Sequence, residues 1–175
     1  MRKLIGFALT AGLAAAMVPA PALADDGAEC PAEPVLPAPL GGWTAETGGE
    51  GVAAADPADA SVPLALGRRV RLALFPNETI TFAAAPEKVP GQNGMGAVVA
   101  IDVAKAGKLT VALGQGAWID LLREAAAVPS TGHGHGPACS GIRKMVDFAV
   151  VPGRYLLQVS GASGEEIDVM AVLRD

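Results

Sequence analysis

From Gly67 onward, apolar side chains recur at every second position in short runs, the period of a strand with one buried face. Val70, Leu72 and Leu74 alternate with Arg69, Arg71 and Ala73, and Ile80 and Phe82 alternate with Thr79 and Thr81. Val99, Ile101 and Val103 share one parity, with Asp102 on the other, and Leu109, Val111 and Leu113 follow the turn Lys105-Ala106-Gly107-Lys108. Val146, Phe148 and Val150 lead into the turn Val151-Pro152-Gly153. Tyr155, Leu157 and Val159 come next, then Ile167, Val169, Ala171 and Leu173. About seven to eight short strands separated by Gly/Pro turns predict an all-β fold over 67–175, an antiparallel β-sandwich or jelly roll.

One stretch reads two ways. Trp118, Leu121, Leu122 and Ala125 fall at i, i+3, i+4 and i+7, as on one face of a short helix over 117–127. The same residues also suit a strand, Trp118 to Leu122, entering a hairpin at Arg123-Glu124. The strand is preferred, because its neighbours are strands and Gly114 and Gly116 punctuate the approach.

The N-terminal third carries no such period. Residues 1–24 begin with Arg2 and Lys3, continue in an apolar run from Leu4 to Val18 and end in Ala22-Leu23-Ala24, the layout of a signal peptide. The run is shorter than the ~20 residues that a membrane-spanning helix needs. Cleavage after Ala24 and a periplasmic or secreted mature chain, with no later transmembrane segment, are therefore expected. Residues 25–66 are rich in Pro, Gly and Ala, which excludes a long helix or a central strand. This segment reads as an extended arm, tethered through Cys30 and anchored by Trp43.

Charge and cysteine content narrow the partners. Loss of Arg2 and Lys3 takes the 13 basic side chains to 11 against 18 acidic ones, a net charge of −7. That balance disfavours nucleic acid and anionic membrane surfaces, which need basic patches. Cys30 and Cys139 are the two cysteines of a chain bound for an oxidising compartment, so a disulfide between them is expected.

Candidate chemistry concentrates between Thr131 and Lys144. Both histidines of the chain, His133 and His135, stand here two residues apart. On an extended strand they share a face, and two neutral imidazoles there suit Fe, Zn or Cu. A third ligand is missing: the His-x-His pair of the cupin pattern is followed, after three or four intervening residues, by Glu, and those positions hold Cys139 and Ser140. Asp120, Glu124, Asp147 and Asp168 are carboxylates whose distance from the histidines the sequence does not fix. Without a metal, the segment reads as an exposed Gly-rich loop, and no cofactor is expected. Ser140 lies beside two histidines, but Ala138-Cys139-Ser140-Gly141 lacks the first glycine of a nucleophile elbow. Arg143 and Lys144 join His133 and His135 in a positive island on an acidic protein, suited to a carboxylate or other anion. Trp118 is either a stacking platform for a ligand or a sheltered packing residue.

The run His133 to Phe148, with Gly116 to Asp120 before it and Pro152 to Tyr155 after it, resembles a family of short exported bacterial proteins over roughly 68–173. Some members carry the label homogentisate 1,2-dioxygenase, which implies an iron-dependent ring-cleaving enzyme using two histidines and a glutamate. The strand Lys108 to Leu113 and the closing run Pro152 to Val159 are similar to bacterial prepeptidase C-terminal and carbohydrate-binding sandwich domains, which implies an accessory domain that binds surfaces, sugars or proteins. Two functions stand at this point, beside the blander one of an envelope scaffold or assembly factor with no small ligand. The preferred one is a binding module that recognises a small anion, a glycan or an envelope protein through the segment His133 to Lys144. The alternative is an Fe-dependent dioxygenase acting on an aromatic such as homogentisate. The oligomeric state is left open.

Overall fold

The computed structural model describes Cys30 and residues 34–44, 49–88 and 93–175. The expected signal peptide, residues 1–24, lies outside the described residues. Ten strands run in chain order: β1 Val70–Ala73, β2 Phe75–Pro76, β3 Met95–Val103, β4 Gly107–Leu113, β5 Trp118–Arg123, β6 Ala126–Ala127, β7 Ser130–Gly134, β8 Lys144–Val150, β9 Gly153–Ala162 and β10 Glu166–Arg174. They form two five-stranded sheets, ordered β1-β10-β4-β8-β7 and β2-β3-β9-β5-β6. Every strand pair within them is antiparallel.

The alternation read from the sequence fills the space between the sheets. Leu109, Val111, Leu113 and Phe148 of the first sheet meet Val99, Ile101, Leu121 and Leu157 of the second in one buried cluster. Each aliphatic side chain so enclosed stabilises the fold by roughly 1.5–3 kcal/mol. Phe148 and Tyr155 are the aromatic members of that cluster. Tyr155 also closes the β8–β9 turn, donating from its hydroxyl to the Val151 carbonyl oxygen at 2.9 Å and accepting from the Val151 N–H at 3.0 Å.

Several strands are buried on both faces, because residues of the Pro/Gly-rich segment cover the outside of each sheet. A 3₁₀ turn, Ala38–Trp43, lays Leu40 and Trp43 on Ala112, Met170 and Val172 of the first sheet. Ala54 and Ala60 pack on Val98 and Ala100 of the second, with bridges pairing Ala54 to Val98 and Pro63 to Ala100. A disulfide joins Cys30 to Cys139 with 5.4 Å between Cα atoms, as expected from the two cysteines.

Three expectations need correction. The alternation at Thr79 to Phe82 is not a strand: Asn77–Thr79 forms a 3₁₀ turn after Pro76, and Ile80 is drawn onto the Ala54, Ala60, Val98 and Ala100 cluster. Ile80 N–H turns back to the Asn77 carbonyl and Thr81 N–H bonds the Ala55 carbonyl, so the segment joins no strand ladder. The strands number ten among the described residues rather than seven or eight. The additions are two-residue strands too short to show a period, β2 and β6, and the glycine-bearing β7. The segment around the histidines is accordingly not all loop, since β7 carries it as far as Gly134 in antiparallel pairing with β8. Between Trp118 and Arg123 the strand alternative holds, and the hairpin turns one residue later, with Glu124 and Ala125 at φ 51° and 62°. Two left-handed residues in a two-residue loop match the right-handed twist of the flanking strands.

Candidate functional site

The two sheets part at the edge where β5 of one faces β7 and β8 of the other. A cleft of about 560 Å³ opens there, and Trp118, His133, His135, Arg143 and Lys144 all line it. The five residues singled out in the sequence are thus brought together from two sheets.

Strand pairing explains the convergence. The β7–β8 hairpin sets His133 opposite Val146 and Gly134 opposite Met145. At its tip, Gly136 donates from its N–H to the Ile142 carbonyl, and a Cβ on Gly136 would lie 2.3 Å from that of Ile142, so only glycine closes the turn. His135 Nδ1 lies 2.8 Å from the Arg143 carbonyl oxygen. That oxygen can only accept, so Nδ1 carries the hydrogen. Ser140 is tied up in the same tip: its hydroxyl donates to the Pro137 carbonyl at 2.6 Å and accepts from the Ile142 N–H at 3.1 Å. It is a capping residue, with no histidine bonded to it.

Lys144 spans the gap between the sheets. Its ammonium donates to the Ala117 carbonyl oxygen at 2.7 Å and stands 4.7 Å from the centre of the Trp118 ring. A second ammonium, on Lys88, stands 6.0 Å from the same ring. Trp118 therefore serves as a half-buried cation platform. Burial lowers the Lys144 pKa, helped by the Lys88 charge and opposed by Asp120.

Lys88 is a residue that sequence reasoning missed, since no period or motif surrounds it. Its placement depends on Gln158, which is 1% exposed on β9. The Gln158 amide accepts from the N–H groups of Ala83 and Ala84 at 2.6 and 3.3 Å and donates to the Ala84 carbonyl at 3.1 Å. The chain just before Lys88 is held to the sheet by those three bonds.

A second cavity of about 670 Å³ adjoins the first, sharing Trp118, His133 and Lys144 with it. Its walls include Ile119, Leu121, Leu122, Val128 and Val146, together with the carboxyl of Asp120. Asp120 is 8% exposed. Its Oδ1 accepts from Trp118 Nε1 at 3.0 Å, while the buried Oδ2 has no hydrogen-bond partner. Burial raises its pKa, with the Trp118 N–H and the Glu87 backbone amide pulling the other way.

The site does not fit a metal centre. Among the described residues no group of three or more His, Cys, Asp or Glu side chains is placed to hold an ion. Cys139 is in the disulfide and offers no thiolate to the two imidazoles. The ligand set required by the dioxygenase alternative is therefore not assembled around His133 and His135, and no step of that chemistry is derived. Among the described residues no helix is long and apolar enough to cross a membrane. No protein-family model, curated protein or solved structure matches this chain. Fold and site define the class: a disulfide-closed β-sandwich with a cation-lined cleft at the edge of its two sheets.

Proposed function

We propose that this chain is an exported binding module that holds an anionic ligand in the cleft between β5 and the β7–β8 hairpin. The observation that carries the reading is which cations lack a carboxylate. Arg69, Arg71, Lys105, Lys108, Arg154 and Arg174 each lie within 4.0 Å of one. Lys88, Arg143 and Lys144 have no such ion pair among the described residues, and all three line the cleft, whereas Arg123, which has none either, lies elsewhere against the Tyr155 ring. On an acidic protein, cations left unpaired and gathered into one concavity favour a ligand that brings the negative charge.

Export is supported by the leader-like pattern of residues 1–24 and by the disulfide, a bond that persists in oxidising compartments. The finer description of the fold as a jelly roll is supported by strand order, since β1-β10-β4-β8 faces β3-β9-β5-β6 and the chain crosses between sheets at each step from β3 to β5 and from β8 to β10. The ammonium already seated on Trp118 favours an acidic group over the bare stacking of a neutral sugar.

The test is a fluorescence titration, because Trp118 is half-exposed at the site while Trp43 is 3% exposed. The mature protein is titrated with inorganic phosphate, citrate, polygalacturonate and neutral dextran at low and high salt. Binding of the acidic ligands, weakened by salt and lost in the triple variant Lys88→Ala, Arg143→Ala, Lys144→Met, is the expected result. Preference for polygalacturonate over citrate identifies a glycan, and the reverse a small anion. Equal responses from the wild type and the triple variant sink the proposal.

A further inference from the structure

Resting on the anion-binding reading, we infer that the ligand is an amphiphilic acid: an anionic head held by Lys88, Arg143 and Lys144, and an apolar body bearing a hydroxyl that enters the adjoining cavity and donates to Asp120. Two independent features support this. The first is the continuity of the cavities. Trp118, His133 and Lys144 belong to both, so the cationic mouth opens directly onto the apolar chamber walled by Leu121, Leu122, Val128 and Val146. Its volume of about 670 Å³ lies within the ~300–1,000 Å³ typical of small-molecule pockets. An inorganic ion would leave that chamber unused.

The second feature is the Asp120 carboxylate. A buried polar atom without a partner is costly to the free protein and is seldom left so without a reason. Asp120 Oδ2 is such an atom, on a side chain more than nine-tenths buried that lines the chamber. The indole N–H of Trp118 occupies Oδ1, and the Glu87 backbone amide, although near enough to lower the carboxyl's pKa, makes no hydrogen bond of normal geometry to Oδ2. A carboxylate is an acceptor, so the missing partner is a donor, and a hydroxyl supplies one without a second charge. Head, body and hydroxyl together define a medium-chain hydroxy acid.

The experiment titrates the mature protein with acetate, butyrate, hexanoate and octanoate at constant ionic strength, with hexanol as the uncharged control. Affinity is expected to climb about fourfold per added methylene until the chamber is filled. Hexanol binds far more weakly than hexanoate, and at least one positional isomer of hydroxyhexanoate binds more tightly than hexanoate itself. Ala127 is exposed and lines the chamber but not the cationic cleft. The variant Ala127→Trp is expected to remove the chain-length dependence while leaving acetate binding unchanged. Asp120→Ala, checked for folding by circular dichroism, is expected to remove the advantage of the hydroxyl alone. Affinity that is flat along the series, with the cation variants still impaired, overturns the amphiphile and leaves the anion reading standing. Chain-length dependence with no gain from any hydroxy isomer overturns the role of Asp120. No response to any anion, including phosphate and polygalacturonate, removes both readings.

Discussion

Lys144 donates to the Ala117 carbonyl oxygen at 2.7 Å while its ammonium stands 4.7 Å from the centre of the Trp118 ring, so one side chain ties β8 to the approach of β5. Three hydrogens sit on that nitrogen and the carbonyl takes one. Lys144→Met keeps most of the stem and deletes the charge. The expected outcome is an anion affinity lower by about ten- to a hundredfold, in line with the ~1.5–3 kcal/mol of a charged hydrogen bond, with the unfolding midpoint little moved.

The same lysine gives the cleft a pH dependence. Because burial and the neighbouring Lys88 lower its pKa, it loses its proton earlier on the alkaline side than an exposed lysine does. Anion affinity is expected to begin falling below the ordinary lysine range. In Lys144→Arg, which stays charged, the fall moves to higher pH. A titration of affinity against pH in both proteins checks this, and superimposable profiles would assign the fall to another group.

Much of this architecture was legible in the chain, and the exceptions have physical causes. Val70 and Leu72 of β1, and Leu109, Val111 and Leu113 of β4, are buried as their alternation requires. Val99, Ile101 and Val103 read as one buried face, but Val98 and Ala100 on the other face are buried too, because the Pro/Gly-rich segment covers them through Ala54 and Ala60. Thr79 to Phe82 carried the right period but had no ladder partner, a circumstance of tertiary structure that no local pattern records. His133, His135, Arg143, Lys144 and Trp118 stood out in sequence and do meet in one cleft. Lys88 and the unpartnered Asp120 oxygen did not, since one is delivered by the Gln158 clamp and the other is defined by what fails to touch it.

Asp147 on β8 carries the opposite electrostatic signature to Asp120. Burial would raise its pKa, but hydrogen bonds from Thr110 and Lys108 and the charges of Lys108 and Arg174 outweigh it, and the net shift is downward. The folded protein therefore binds this proton more weakly than the unfolded chain. The contribution to stability is present above the unfolded carboxylate pKa and is lost as pH falls through the folded value. Asp147→Asn is expected to lower the unfolding free energy by about 1 kcal/mol at pH 7, a modest figure because the ion pairs are partly exposed. The deficit should vanish near pH 2 in urea melts.

For Asp120 the sign reverses. Burial raises its pKa, so the folded state binds the proton more tightly, and stability declines as pH rises from the unfolded to the folded value. The full penalty persists at neutral pH. Asp120→Asn retains an oxygen to accept from Trp118 and abolishes the ionisation. It is expected to be more stable than the wild type at pH 7, with the gain disappearing below ~3.9, the ordinary aspartate value. A wild type that stays the more stable at neutral pH would mean that the carboxylate has a partner which keeps it ionised.

The disulfide and Trp43 grip adjacent residues of the hairpin tip, and they act on different states of the chain. Cys139 is bonded to Cys30, while Trp43 Nε1 donates to the Ser140 carbonyl at 2.9 Å. A cross-link over 109 residues restricts chiefly the unfolded ensemble, so the double variant Cys30→Ser, Cys139→Ser is expected to lose about 2–5 kcal/mol of unfolding free energy. Its anion affinity should be unchanged, because the indole still holds Ser140. Trp43→Ala acts on the folded state instead. It empties the contact with Leu40, Ala112, Ile142 and Met170, at about 3–5 kcal/mol, and frees the Ser140 carbonyl two residues before Ile142, whose backbone closes the turn at Gly136. Arg143 and His135 then lose a rigid base, and anion affinity should fall along with stability. Paired urea melts and anion titrations on the two variants separate these roles. If the double serine variant also loses affinity, the tip is held by the disulfide in the folded state and the indole contributes only burial.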